Sequence, residues 1–443
     1  MSDREGLGGL NIPQEEVLSD GTELFENPTI MKNFTSGFNQ DYYPITGVES
    51  AGPYEFHIAA DGKHYMILPQ TRLYGVIQIL RIDETAADTS ETDLGIVNLL
   101  PSSLFSHVEI EVNGTKISDA TSSCYGYKAA IETILSYGEE AKNTHLKAAR
   151  FYEDTDHKTD HTNNKGWKDR RALVSKAKYM DFETLIHADF FQIYKYLPNN
   201  CSIRIKLIRN SDKFALMCTE AGIGKYQIKI SDLTLTVRKV ELHDELINLN
   251  NTAFDQGKMG VLPVVRTMIK TCVIPSGISA IIEPNIIRGR LPRCIIVSFV
   301  VSSAFNGNET QNPYNFQHFD LETISLKING ITTPSSPHKM DFTNSKFIKP
   351  YKALFDSTGF AHTNSGNSLT PDNFANGNTF IAFDLTPDQC NGWHEHPKKL
   401  GVIDLHLSFK KPLDNTITVI VYSSFENRIF IDQYKNFATD YTV

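Results

Sequence analysis

The residues with the means to do chemistry gather in a few short stretches. In "DTDHKTDH", residues 154–161, Asp154, Asp156, His157, Asp160 and His161 share one segment, and carboxylates beside imidazoles are the donors that hold a divalent cation. A polar loop kept out of the core has the same composition, and the stretch is read as such a loop. In "GWHEHPKKLG", residues 392–401, His394-Glu395-His396 has the spacing of a metal-binding pair on a strand. Pro397 and two lysines stand where a third ligand, a Glu, would be wanted, and Pro suits a strand interior poorly. The expectation there is a loop with exposed histidines. "AGIGKY" (221–226) resembles a phosphate loop but lacks its first Gly, and Tyr226 replaces the Ser or Thr that would meet Mg²⁺. "HDEL" (243–246) is internal and so cannot act as a retention signal. Neither G-x-S-x-G nor H-E-x-x-H occurs. The sequence therefore offers no catalytic, cofactor-binding or metal residue, and the expected role is not enzymatic and needs no cofactor.

Composition points to strands as the scaffold. Of 443 residues 40% are hydrophobic, with 26 Phe and 18 Tyr, and β-branched residues fill the apolar runs. A net charge of −9 repels nucleic acid, so specific binding to it is not expected. The first thirty residues set Asp3, Glu5, Glu15, Glu16, Asp20, Glu23 and Glu26 against Arg4 alone. Residues 1–40 read as a flexible acidic arm. Cys124, Cys201, Cys218, Cys272, Cys294 and Cys390 are scattered without a C-x-x-C pair, as buried thiols in a reducing compartment would be. No leader-like apolar segment opens the chain and no run is long enough to span a bilayer. The expectation is a soluble chain made in the cytosol.

Along the chain, "YEFHIA" (54–59) and "YMILP" (65–69) flank Asp61-Gly62, a dipeptide suited to a hairpin, and "RLYGVIQILRID" (72–83) is long and strand-like. In "HVEIEVNGTKIS" (107–118), Val108, Ile110 and Val112 alternate with Glu109 and Glu111 before Asn113-Gly114, which supplies a positive-φ turn. "LETISLKINGIT" (321–332) repeats that rhythm around Asn329-Gly330. "YKAAIETILSYG" (127–138) follows the first copy, with Tyr127, Ile131, Ile134 and Leu135 on one helical face and Gly138 placed to cap it. "YKALFDSTG" (351–359) follows the second. The strand "LYGVIQILRI" precedes the first copy as "RCIIVSFVVSS" (293–303) precedes the second, and "CSIRIKLIRN" (201–210) and "YQIKISDLTLTVRKVEL" (226–242) answer to "VIDLHLSFKK" (402–411) and "TITVIVYSSFENRIFI" (416–431). Two features recurring in order at nearly one offset mean a duplicated domain, joined near "INLNNTAFDQGKMG" (247–260). Each half exceeds a minimal eight-stranded sandwich. The expected fold is all-β: two tandem eight-stranded jelly rolls over 41–250 and 251–443, with short helices. The polar insertions 153–171, 306–318 and 362–378 read as long displayed loops.

Beyond this periodicity, "SLFSHVEIEVNGTKIS" (103–118), "YKAAIETILSYGEEAKNTHLKAARFYED" (127–154), "LIHADFFQIYKYLPNNCSIRIKLIRNSDKFALM" (185–217) and "ITVIVYSSFENRIFIDQYKNF" (417–437) resemble the major capsid protein of Polinton (Maverick) elements and adintovirus-like viruses. Residues 255–400 match more loosely. The resemblance implies a double jelly-roll structural protein of a virion, without enzymatic activity. It implies a homotrimeric, pseudo-hexameric capsomer that tiles an icosahedral shell around double-stranded DNA, with insertions forming an outward tower. A separate penton or minor capsid protein, a maturation protease and a packaging ATPase accompany such proteins, and "GLGGL" (6–10) is a near miss to the Gly-Gly sites that protease cuts. The competing reading is a carbohydrate-binding or carbohydrate-active paired jelly roll. It wants a tryptophan-lined cleft, and the chain has only Trp167 and Trp393, both in polar surroundings.

Overall fold

The structure, a computed structural model, describes residues 31, 33–48, 52–85, 87, 93–118, 124–155, 163–176, 179–389 and 394–441. Its strands form where apolar side chains alternate with polar ones. In β7 (Ile203–Arg209), Ile203, Ile205 and Leu207 are buried while Arg204 is exposed; in β6 (Met180–Leu185), Met180 and Phe182 are buried while Asp181 and Glu183 are exposed.

The first half holds β1 (Phe34–Tyr42), β2 (Tyr54–Ile58), β3 (His64–Arg81), β4 (Phe105–Val112), β5 (Thr115–Lys116), β6, β7 and β8 (Tyr226–Leu242). One sheet runs β1-β8-β3-β6 and the other β2-β7-β4-β5. The second half holds β9 (Gly260–Ile274), β10 (Ala280–Arg290), β11 (Cys294–Val301), β12 (Leu321–Ile328), β13 (Ile331–Lys339), β14 (Ile381–Asp384), β15 (Leu400–Phe409) and β16 (Ile417–Ile431), with β17 (Phe437–Thr439) added on β16. Its sheets run β9-β16-β11-β14 and β10-β15-β12-β13. Adding eight to every strand of the first roll generates the second. Each set has jelly-roll winding, and among the described residues no strand pairs across the halves. The fold is all-β, two eight-stranded jelly rolls in tandem.

The side chains between the sheets make a continuous core in which Phe56, Phe105 and Phe299 are almost wholly enclosed. Each is worth roughly 1.5–3 kcal/mol relative to an exposed ring. Strand β11 is buried from Cys294 through Val300, on both faces, because its outer face meets the first roll. Four helices of eight or more residues stand among the described residues: α1 (Tyr125–Ser136), α2 (Lys165–Lys176), α3 (Asp244–Asp255) and α4 (Ile348–Thr358). Helices α1 and α4 occupy equivalent places, after β5 and after β13.

Several expectations are corrected. Strands β2 and β3 do not form a hairpin across Asp61-Gly62: β2 pairs with β7 and β3 with β8 and β6, so the turn crosses between sheets. Asp61 instead accepts hydrogen bonds from the Lys63 N–H and from His64. Two expected strands fuse into β3, with a register shift between Ile67 and Arg72. Residues 34–40, expected in the arm, belong to β1, which pairs with β8; residues 1–30 lie outside the described residues. Gly138 does not cap α1 in the left-handed region. It has φ −78°, precedes the short helix Glu139–Asn143, and lets Gly366 O approach to 3.0 Å of where a Cβ would sit. Gly359 does close α4, at φ 80°. The insertion 153–171 is not wholly a displayed loop: its later part forms the start of α2, whose Trp167 is buried and donates Nε1–H to Met217 O at 2.9 Å. The polar insertions 306–318 and 362–378 bury Tyr314, Phe316, Asn367 and Phe374. They fasten one roll to the other.

Candidate functional site

The two Asn-Gly turns are alike in backbone. Asn113 and Asn329 have φ 45° and 48°, and Gly114 and Gly330 have φ 82° and 87°. These are left-handed values that Asn tolerates and Gly favours, and they turn β4 into β5 and β12 into β13. Asn113 also donates Nδ2–H to Lys435 O at 2.8 Å, tying the first roll's turn to the C-terminal segment of the second.

The larger construction is the seam between rolls. Helix α1 projects from the first roll onto the sheet of β9, β16 and β11. Tyr127 stacks on Phe305 at 5.1 Å and meets Tyr314 and Phe316 edge-on. Gly126 faces the Tyr314 hydroxyl, which would lie 2.7 Å from an added Cβ, and that hydroxyl shares a 2.6 Å hydrogen bond with Ser103 Oγ. Beneath the aromatics runs a polar row. Lys128 pairs with Asp189 and lies 3.6 Å from Glu132. Asp189 accepts the Thr267 N–H at 2.7 Å, and Glu132 meets His187 at 2.9 Å and accepts from Gln192 and the Tyr422 hydroxyl. Burial alone would favour the neutral amine of Lys128, but the Asp189 and Glu132 carboxylates outweigh it and keep the ammonium charged. Lys142, buried in the seam, donates to Ile134 O, Asn367 O and Ser368 Oγ at 3.0, 2.6 and 2.9 Å. Asn312 donates to Asp154 at 3.0 Å. Such a hydrogen-bonded seam favours one arrangement of the two rolls.

The motifs with apparent chemistry take other roles. Asp154 is buried and forms an ion pair at 2.9 Å with Arg170, whose side chain is wholly enclosed; Asp156, His157, Asp160 and His161 lie outside the described residues. In "AGIGKY" the Gly224 N–H donates to the Glu309 carboxylate at 2.7 Å, so the loop holds an acid of the chain's own second half. His243 of "HDEL" precedes α3, with Asp244 and Glu245 in its first turn, where acids suit the helix dipole. Trp167 is buried, and Trp393 lies outside the described residues, as does Cys390. Cys124, Cys201, Cys218 and Cys294 are buried. No helix among the described residues is long and apolar enough to cross a membrane.

The His394-Glu395-His396 stretch is more organised than an exposed loop. It borders a cleft of about 420 Å³ lined in part by Arg290, Arg293, Asn329, Asp384, His396, Lys398 and Glu426. Both histidines meet Asp388, at 2.8 Å each. Asp388 and the seam residues Lys142, Asp189, Glu309 and Tyr314 were invisible as functional positions in sequence. Their only signal was polarity inside otherwise apolar or turn-like segments.

No protein-family profile matches the chain. An uncharacterised Caenorhabditis elegans protein, F54H12.2, is 25% identical over 400 residues, spanning 88% of this chain and 93% of the relative. A chain of the Sputnik virophage, solved by cryo-EM, superposes with a TM-score of 0.64 at 10% identity, over 98% of this chain and 94% of that one. The PBCV-1 virus capsid gives 0.58 at 9% identity, over 94% and 99%. The mavirus major capsid protein gives 0.53 at 11% identity, over 99% and 96%. What is shared is the architecture over nearly the whole chain: this is a double jelly roll of the kind seen in those capsids.

Proposed function

We propose that the chain is a structural major capsid protein, of the kind encoded by Polinton (Maverick) elements and adintovirus-like viruses, and that it acts by assembly as a homotrimer. The observation that carries the trimer is the unequal burial of two equivalent helices. Eight of the twelve residues of α1 are buried, because the second roll of the same chain covers it. Only Pro350, Leu354 and Ser357 of the eleven in α4 are buried, and Ile348 is 54% exposed. Lys352 and Asp356 pair on α4 as Lys128 and Glu132 do on α1, yet Asp356 remains half-open to solvent. In the proposed assembly α4 of each chain lies on the first roll of the next, as α1 lies on the second roll of its own. Three chains then close a ring of six rolls with a nearly hexagonal outline.

In this reading the rolls span 34–250 and 251–443, since β1 already belongs to the first roll, the acidic segment ahead of β1 latches between or beneath capsomers, and the loops at one end form the outward tower. The capsomers tile an icosahedral virion shell around double-stranded DNA, which a chain of net charge −9 need not grip. A separate penton or minor capsid protein fills the fivefold positions. The chain is made in the host cytoplasm and ends in the capsid. A relative in a nematode supports an element resident in animal genomes.

Light scattering after size exclusion, with negative-stain images of the peak, tests this. The expected mass is three times the 49.8 kDa chain, with hexagonal outlines. Ile348→Arg should yield a folded monomer. A wild-type chain that stays monomeric across salt and concentration, or an Ile348→Arg trimer as stable as wild type, would overturn the reading.

A further inference from the structure

We propose that Asp388, His394 and His396 form a three-ligand site for a divalent transition ion of the zinc class, with Glu426 orienting one ligand. The observation is convergence. His394 Nε2 lies 2.8 Å from one oxygen of Asp388, and His396 Nε2 lies 2.8 Å from the other. One ligand atom from each of the three residues lies within 4.8 Å of the others. The two imidazoles lie side by side, ring centroids 4.9 Å apart, and Glu395 between them pairs with Arg428 at 2.7 Å.

The surroundings fix the chemistry of His396. Its Nδ1 lies 2.9 Å from Glu426 Oε1, and its backbone N–H donates to Glu426 Oε2 at 2.7 Å. Each ring nitrogen of His396 therefore faces a carboxylate. With the Nδ1 proton given to Glu426, the Nε2 lone pair points at Asp388 and must share a cation with it: a second proton or a metal ion. A carboxylate behind the distal nitrogen is the arrangement that orients metal-bound histidines and raises their basicity. Glu426 sits on β16, so it supplies from a neighbouring strand the acid that Pro397 denies to the histidines' own segment. Two imidazoles and one carboxylate match zinc-class preferences, and a fourth position stays open on the solvent side, where Asp388 and His394 are exposed. Zinc bonds of about 2.0–2.1 Å place tetrahedral ligands about 3.3 Å apart. The two contacts at 2.8 Å must open by about half an ångström, and any pair near the 4.8 Å limit must close by up to about 1.5 Å. The ion would pin the segment between β14 and β15 onto β16, at the mouth of the cleft described above.

The test is titration of untagged full-length protein, stripped with chelator, with zinc chloride, read by calorimetry and by bound metal after gel filtration. Cobalt(II) serves as a coloured probe of coordination. The expected result is one ion per chain with the intense visible bands of four-coordinate cobalt. Asp388→Ala, His394→Ala and His396→Ala should each abolish it, at unchanged circular dichroism. His362→Ala, at an exposed histidine elsewhere, should bind as wild type. Glu426→Gln keeps all three ligands and should weaken binding about ten- to a hundredfold. No uptake by the wild-type chain, uptake retained in His394→Ala and His396→Ala, or equal loss in His362→Ala would each overturn the site. Unchanged affinity in Glu426→Gln would overturn the orienting role.

Discussion

Asn113 and Asn329 make the same pair of hydrogen bonds in the two jelly rolls. Asn113 donates its N–H to Ser202 O at 3.0 Å and accepts the Ser202 N–H on Oδ1 at 2.7 Å. Asn329 does the same with Val402, at 3.0 and 2.9 Å. Each side chain is thus one more rung between the turn and a third strand, β7 or β15. Asn329→Ala removes that rung and forces Ala into a left-handed backbone, and should cost about 1–2 kcal/mol of unfolding free energy. Asn329→Asp keeps both the acceptor and the tolerance of positive φ, and should cost less. Urea unfolding at fixed pH measures both, and equal losses would show that the rung contributes nothing.

Gly114 tests the backbone separately. No atom lies within 4 Å of the position a Cβ would take, so a side chain there meets open space. Any cost of Gly114→Val is therefore the strain of φ 82°, roughly 1 kcal/mol or more. Unchanged thermal stability would count against a constrained turn at this position.

Asp154 should behave as a structural anion. Arg170 is held by the Ile96 carbonyl at 2.9 Å and the Tyr152 carbonyl at 2.9 Å, but its charge has Asp154 as ion-pair partner. Asp154→Ala leaves a buried guanidinium uncompensated and should cost about 3–5 kcal/mol. Replacing both, as Asp154→Ala with Arg170→Met, should cost less than the single change. Denaturant unfolding of the two variants decides it; a single-variant loss under about 1 kcal/mol would mean that water reaches the pair.

The fold was legible because it is periodic and repeated. Alternation in β4 and β12, the Asn-Gly turns and the two Tyr-Lys-Ala helices each carry local signals, and their order survives in the strand topology. The hairpin expected at Asp61-Gly62 failed because a turn dipeptide specifies a reversal without specifying which sheet the next strand joins. Trp167 and Tyr314 were misplaced for a related reason. They stand among polar neighbours in sequence, and their surroundings come from distant segments: Gly95 and Met217 of its own roll for Trp167, and Tyr127 and Phe214 of the first roll for Tyr314. The cluster of Asp388 with His394 and His396 was half visible: the histidine spacing is local, whereas Glu426 arrives from a strand thirty residues on.

Alkaline pH should destabilise the chain, and the direction follows from counting opposed groups. Burial pushes the Cys124 thiol up to about 11 and Cys201, Cys218, Cys272 and Cys294 up to about 12. Burial likewise raises Tyr125, Tyr127, Tyr314 and Tyr422. For these groups the folded chain keeps protons that the unfolded chain gives up from about pH 9 onward. Their contribution is full below that pH and is lost as pH climbs towards 11–12. Lys142 works the other way: burial lowers it to about 8, so between there and its ordinary 10.5 the folded chain holds fewer protons and stability rises with pH. Each fully offset group changes the slope by about 1.4 kcal/mol per pH unit, so Lys142, even together with Lys435, whose pKa burial also lowers, cannot balance the thiols and phenols. Calorimetric Tm should be nearly level around pH 8 and fall steeply above 9. Lys142→Met, with the opposing contribution removed, should fall more steeply still between pH 8 and 10.5. A Tm that rises from pH 9 to 11 would mean that these thiols and phenols are open to solvent, and with them the core and seam they line.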